Sequence, residues 1–134
     1  MLDHITFYVR DLAISDHFYA AALAPLGYAE GARFPADVTG IGEVIGYGPP
    51  SRPQFWISPA SAEHAVSGPF HLALTATSQD AVDAFYKAAL AAGGKDNGAP
   101  GPRPHYRPDY YGAFVIDPDG NNIEAVWYDP TRKS

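Results

Sequence analysis

Apolar and polar positions along this chain fall into two kinds of pattern. From His4 to Val9 they alternate, with Ile5, Phe7 and Val9 on one side and His4, Thr6 and Tyr8 on the other. A period of two predicts a strand. Ile14, Phe18, Ala21, Ala22 and Pro25 then recur at helical spacing. Asp11 can cap that helix, which runs to about Pro25, and Gly27 ends it. Between Tyr28 and Ser58 the pattern gives three short strands, roughly Ala29–Phe34, Glu43–Tyr47 and Gln54–Ser58. Pro59 to Pro69 reads as a linker. The order then starts again. His71–Ala76 alternates as a strand, Ser78 caps a helix to about Ala92, and Gly93-Gly94 stops it. Lys95 to Tyr110 is rich in proline and reads as a loop with one short strand near its start. Tyr111–Ile116 and Asn122–Trp127 are strands joined by the turn Asp117–Asn121, where proline and glycine sit at turn positions.

The two halves are related by more than pattern. At an offset of 67 residues His4 falls on His71, and Asp16, Phe18 and Tyr19 fall on Asp83, Phe85 and Tyr86. Ala21–Ala24 falls on Ala88–Ala91 and Gly27 on Gly94, which makes 9 identities over 24 ungapped positions. The capping residues Asp11 and Ser78 also superpose. Each half is therefore one β-α-β-β-β unit, about 1–59 and 68–130, within a single domain spanning 1–134. Neither unit can bury both faces of its sheet alone. A pair of like units suggests a pseudo-twofold axis, which would let the two repeated histidines meet in one site.

Composition narrows the functional classes. With 134 residues the chain can bury a sizeable core. A formal charge of −6 argues against nucleic acid as a partner. There is no cysteine, so thiolate metal sites and disulfides are excluded. The first residues do not resemble a signal peptide and no apolar stretch is long enough to span a bilayer, so a cytoplasmic protein without membrane contact is expected.

Three residues stand out chemically. His4 and His71 share the polar side of equivalent strands, and Glu124 interrupts the apolar run Ile123–Trp127. A carboxylate there is expensive to bury unless it is paired or bound to a cation. Two histidines and one glutamate suit Zn²⁺, Fe²⁺, Mn²⁺ or Ni²⁺, and three protein ligands leave positions free for water or substrate. Singly, each has a plainer reading, as a core or surface histidine or an edge-strand charge. Arg103–Tyr111 carries three tyrosines, two arginines and a histidine in nine residues. Such density suits a wall of a ligand cavity. Within it His105 is a candidate acid or base, Tyr111 a further catalytic candidate, and Arg103 and Arg107 candidate anion holders. Tyr106, with Trp56, is a candidate substrate contact. A solvated or dimer-contact loop is the alternative.

The order of a His-strand, a helix with Phe18-Tyr19 ending in Leu26-Gly27, a second His-strand and Asp117-Pro118-Asp119-Gly120-Asn121-Asn122-Ile123-Glu124 resembles the vicinal oxygen chelate superfamily. This is the group of glyoxalases, bleomycin-resistance proteins and extradiol dioxygenases. The resemblance implies an α+β fold, two paired β-α-β-β-β modules forming an eight-stranded, partly open barrel with helices outside. It implies a homodimer and a divalent metal held by His4, His71 and Glu124. Many members add a fourth ligand from the last strand of the first module. Here that strand offers Gln54, Trp56 or Ser58 and no carboxylate, which departs from the glyoxalase I pattern. The expected function is metal-dependent chemistry on neighbouring oxygens of a small substrate: lyase, isomerase or oxygenase. The rival is a non-catalytic drug- or metabolite-binding protein of the same fold.

Overall fold

The computed structural model describes residues 1–132. Its elements run β1 (Ile5–Val9), α1 (Leu12–Leu23), a 3-10 turn (Ala24–Leu26), β2 (Ala29–Phe34), α2 (Ala36–Thr39), β3 (Val44–Gly48) and β4 (Phe55–Pro59) in the first half. The second half holds β5 (His71–Thr75), α3 (Gln79–Ala91), β6 (Lys95–Pro102), β7 (Tyr110–Ile116) and β8 (Asn122–Tyr128). Both helix starts follow from their caps. The Asp11 carboxylate accepts from the Ile14 amide and the Ser78 hydroxyl from the Ala81 amide, satisfying donors that the first turn leaves free. Gly27, at φ 83°, ends the first helical segment in the left-handed conformation that favours glycine.

Each half builds one mixed four-stranded sheet, ordered β1-β4-β3-β2 and β5-β8-β7-β6. In both, the first strand runs parallel to the last and the others are antiparallel. The architecture is α+β with two sheets that do not close into a barrel. Helices α1 and α3 pack on each other and each covers one face of its own sheet. A single core runs through both halves. Phe18 and Phe85, the repeated phenylalanines, are both 0% exposed, among Ile45, Ile57, Val115 and Ile123. The Phe7 and Phe70 rings stack at 4.2 Å where the two halves meet.

Two elements depart from expectation. The one-turn helix α2 breaks what reads as irregular chain. The proline-rich stretch after Lys95 forms a full eight-residue strand. It is an edge strand with shifts in register after Asp96 and Gly98. Proline and glycine are tolerated there because an edge strand pairs on one side only and bulges absorb the missing donors.

Candidate functional site

Strand alternation fixes which side chains share the helix-free face of the second sheet. Ala73 pairs with Glu124 and Phe114 with Glu124, so that face carries His71 and Ala73 on β5, Asn122 and Glu124 on β8, and Tyr110, Gly112 and Phe114 on β7. Glu124 is only 1% exposed. Its Oε1 lies 2.8 Å from His71 Nε2, and its Oε2 accepts a hydrogen bond from the Tyr110 hydroxyl. The imidazole itself is half exposed, so this acid–base pair opens to solvent on one side only. Burial, and then the bond to Glu124, hold the Tyr110 phenol well above its ordinary pKa. Gly112 makes the arrangement possible. A Cβ there would stand 3.1 Å from the Tyr110 ring and 3.3 Å from Glu124 Oε2.

The first sheet presents the equivalent face with different chemistry. Thr6 pairs with Trp56 as Ala73 pairs with Glu124, so Trp56 takes the place of the carboxylate. Of the three positions the sequence left open, Trp56 is thus the counterpart of Glu124, and it is no metal donor. Its indole lies over Gly46, where a Cβ would approach within 2.8 Å, and stacks with Phe34 at 5.8 Å and 12°. Gln54 accepts from the Tyr28 hydroxyl at 2.8 Å, and Ser58 is fully buried.

His4 is not brought to His71 and Glu124. It is exposed and pairs through Nδ1 with Asp3 at 2.8 Å, while Arg52 holds the other Asp3 oxygen at 2.5 Å. Among the described residues no group of three or more His, Asp or Glu side chains is placed to hold a metal ion. The repeat gives the two histidines equivalent positions in two separately hydrogen-bonded sheets, and their side-chain partners differ, Asp3 for His4 and Glu124 for His71.

In the loop after Pro102, where Arg103 and Arg107 are expected as anion holders, both guanidinium groups bond within the loop itself. Arg103 donates to the carbonyls of Ala99, Gly101 and Pro102 at 2.7–3.2 Å, and Arg107 forms a bidentate pair with Asp109 at 2.8 and 2.9 Å. Tyr111 lies on the helix side of β7. It donates to Asp83 on α3 at 2.6 Å, and burial with that carboxylate pushes its pKa up to about 12. Tyr110, which sequence reasoning passed over, stands beside Glu124 instead. The signal was available: counting back by twos from the residue opposite Glu124 reaches Tyr110. Tyr106 is exposed and packs edge-on against Tyr110 at 5.1 Å, with His105 at 4.2 Å from Tyr106. The loop thus touches the Glu124 group through Tyr106 and Tyr110.

Residues 1–125 match the family model described as Glyoxalase/Bleomycin resistance protein/Dioxygenase superfamily. Among solved structures, a glyoxalase/bleomycin resistance protein from Albidiferax ferrireducens T118 is 31% identical, covering 93% of this chain and 96% of that one, with a TM-score of 0.73. A glyoxalase-related enzyme from Fulvimarina pelagi is 23% identical over 95% of this chain and 87% of that one, with a TM-score of 0.68. TnmS3, an antibiotic binding protein from Streptomyces sp. CB03234, is 18% identical over 96% of each chain, with a TM-score of 0.67. The last two show likeness of fold alone. No curated protein matches the chain.

Proposed function

The chain belongs to the Glyoxalase/Bleomycin resistance protein/Dioxygenase superfamily, and on that premise we propose that it is a metal-dependent enzyme acting on a small substrate with two neighbouring oxygens. The observation that carries this reading is the His71–Glu124 pair. A buried carboxylate and a half-exposed imidazole stand with donor atoms 2.8 Å apart on a face that no helix covers. The pair fits a divalent cation in chemistry, since both are ligands such ions take. When bound, the ion would polarise the substrate oxygens as a Lewis acid.

Two donors from one chain leave the set short of the usual three. We assign the third to His4 of a second copy. The exposed His4 and the open His71–Glu124 pair are complementary halves of one site. A homodimer that lays the first sheet of one copy against the second sheet of the other would join them. In that arrangement Trp56 and Thr6 face the His71–Glu124 pair, and the substrate lies between an aromatic wall and the ion. Tyr106 borders the site through Tyr110, and His105, whose ring lies 4.2 Å from that of Tyr106, is the candidate acid or base. A stable interface of this kind buries on the order of 1,200 Å² or more. Lyase, isomerase and oxygenase chemistry are all compatible with the set.

The test is elemental analysis of the purified protein, with a mixing experiment. His4→Ala and Glu124→Gln each destroy both sites of a homodimer, but a mixed dimer keeps one site intact. Recovery of bound Zn²⁺ or Mn²⁺ on mixing supports the shared site. Equal metal content in wild type and Glu124→Gln overturns it.

One observation favours the second reading, a binding protein without catalysis. Trp56 replaces a donor at the position equivalent to Glu124, and it stacks with a half-exposed Phe34. Such a surface suits a flat aromatic ligand. Quenching of Trp56 fluorescence by an aromatic ligand in metal-free protein, with unchanged affinity in Glu124→Gln, would establish that reading in place of the first.

A further inference from the structure

We propose that the helix-free face of the second sheet carries an anion subsite, in which Arg103 holds the carboxylate of a small organic ligand. The inference deepens the proposed function by naming the charge of the ligand. It rests on that face being the ligand face and calls on no metal ion.

The register places the arginine. Phe114 on β7 is the direct cross-strand partner of Glu124, so its ring lies on the helix-free face. The Arg103 guanidinium carbon stands 5.5 Å over that ring, and the His71 ring lies 6.1 Å from it. Arg103 and the His71–Glu124 pair therefore border one aromatic ring on one face. The guanidinium also runs along two glycines of β6. A Cβ at Gly101 would stand 3.1 Å from Nη1, and one at Gly98 would stand 3.4 Å from Nη2.

The bonding of Arg103 fixes the group and leaves its charge unmatched. Nη1 donates to the carbonyls of Gly101 and Pro102 and Nη2 to that of Ala99, at 2.7–3.2 Å. These neutral acceptors set the plane of the guanidinium and take three of its five N–H groups. Nε–H and one N–H of Nη2 are left. Arg33, Arg52, Arg107 and Arg132 each pair with a carboxylate. Among the described residues none pairs with Arg103. A held, half-buried guanidinium without a counter-charge, in a chain of formal charge −6, attracts an anion locally where the whole chain repels it. Glu124 shares the face, but its two oxygens are engaged by His71 and Tyr110. A carboxylate suits the two remaining N–H groups, because it offers a planar pair of acceptors.

Equilibrium dialysis with salicylate, a flat carboxylate with a neighbouring oxygen, tests this against its neutral counterpart salicylamide. Wild type should bind salicylate at least about 10-fold more tightly. Arg103→Met keeps an apolar stem over Phe114 and removes the charge. It should weaken salicylate binding roughly 10- to 100-fold and leave salicylamide unchanged. Arg103→Lys keeps the charge without the planar fork and should recover part of the loss. Arg132→Met is the control. It makes the same change of charge beyond β8, where Asp129 pairs with the arginine, and should bind both compounds as wild type does. Thermal melts establish that each variant is folded. Equal salicylate affinity in wild type and folded Arg103→Met overturns the subsite and leaves the metal reading standing. A loss that reaches salicylamide to the same degree also overturns it, since the arginine then only braces its loop. The difference between wild type and Arg103→Met should persist in EDTA, and a difference that vanishes there assigns the charge to a metal and not to Arg103. Displacement of salicylate by inorganic phosphate but not by equal acetate overturns the carboxylate assignment in favour of a phosphoryl ligand. Wild type that binds neither salicylate nor phosphate overturns the anion site outright, while elemental analysis reads the metal separately.

Discussion

The two helix-free sheet faces share one strand pattern and differ in the side chains they carry, most sharply at one position. On the second sheet Glu124 is buried between His71 and Tyr110. On the first, the same lattice point holds Trp56, lying on Gly46 and stacked with Phe34. The backbone frames are equivalent, with the same strand order and the same parallel pair. The glycines are not. Gly46 vacates space for an indole ring, and Gly112 vacates space for a phenol reaching a carboxylate. One face has become an aromatic platform and the other an acid–base cluster. Duplication supplies two like scaffolds, and a few side chains then decide what each face can bind.

The comparison can be broken first at the core, where the halves are alike. Phe18 and Phe85 are equally buried, so Phe18→Ala and Phe85→Ala should each cost about 3–5 kcal/mol. Denaturant melts that give one large and one small loss would show that the halves carry unequal weight in a common core. The next largest effect should separate the two faces. Glu124→Gln is expected to weaken divalent-metal binding by roughly 100-fold, at or beyond the upper end of what loss of an outer partner costs, and Trp56→Phe by much less. Competition titration with a metal indicator reads both.

A smaller contrast lies in the repeated tyrosines. Tyr19 is 1% exposed and donates to the buried Asp117, whereas its counterpart Tyr86 is only half-buried. Tyr19→Phe should cost about 1–2 kcal/mol, because a buried acceptor loses a donor, and Tyr86→Phe under about 0.5 kcal/mol. Thermal melts check the pair. The least effect appears only in alkali. Burial, then the neighbouring carboxylates, raise Tyr19 and Tyr47 in the first half well above 10.0. The folded protein therefore keeps protons that the unfolded chain loses. These tyrosines support folding fully below pH 10, and that support falls as pH rises beyond it. Tyrosine absorbance against pH should show these two ionising only as the fold is lost, and an early titration of either would contradict their burial.

Much of the fold was legible because its signals are local. Asp11 and Ser78 cap their helices as read, and the turn at Asp117 closes where proline and glycine place it, with Asp117 accepting from the Asp119 and Asn121 amides. The strand after Lys95 was not legible in full. Its prolines and glycines carry no strand propensity, and only its position at a sheet edge makes them acceptable. At the site, type and alternation single out Glu124 and His71, which the structure brings to 2.8 Å of each other. The bonds of Arg103 and Arg107 within their own loop were not legible, since a free guanidinium and one bonded to its loop look the same in sequence.

The sequence by itself determined the duplication, the β-α-β-β-β order, the helix ends and the presence of an acid where an apolar residue belongs. Those depend on spacing and on interactions within a few residues. Tertiary structure decided the rest. Alternation says that Tyr110 and Tyr111 face opposite ways, but only the packing of α3 on β7 decides that Tyr111 meets Asp83 and Tyr110 meets Glu124. Repetition says that His4 and His71 are equivalent, but only the tertiary structure decides that His71 meets Glu124 while His4 pairs with Asp3. The physical reason is that a period carries no sign. Which face is buried, and which neighbours close over it, is fixed by long-range burial of apolar surface, and no local run of residues records that choice.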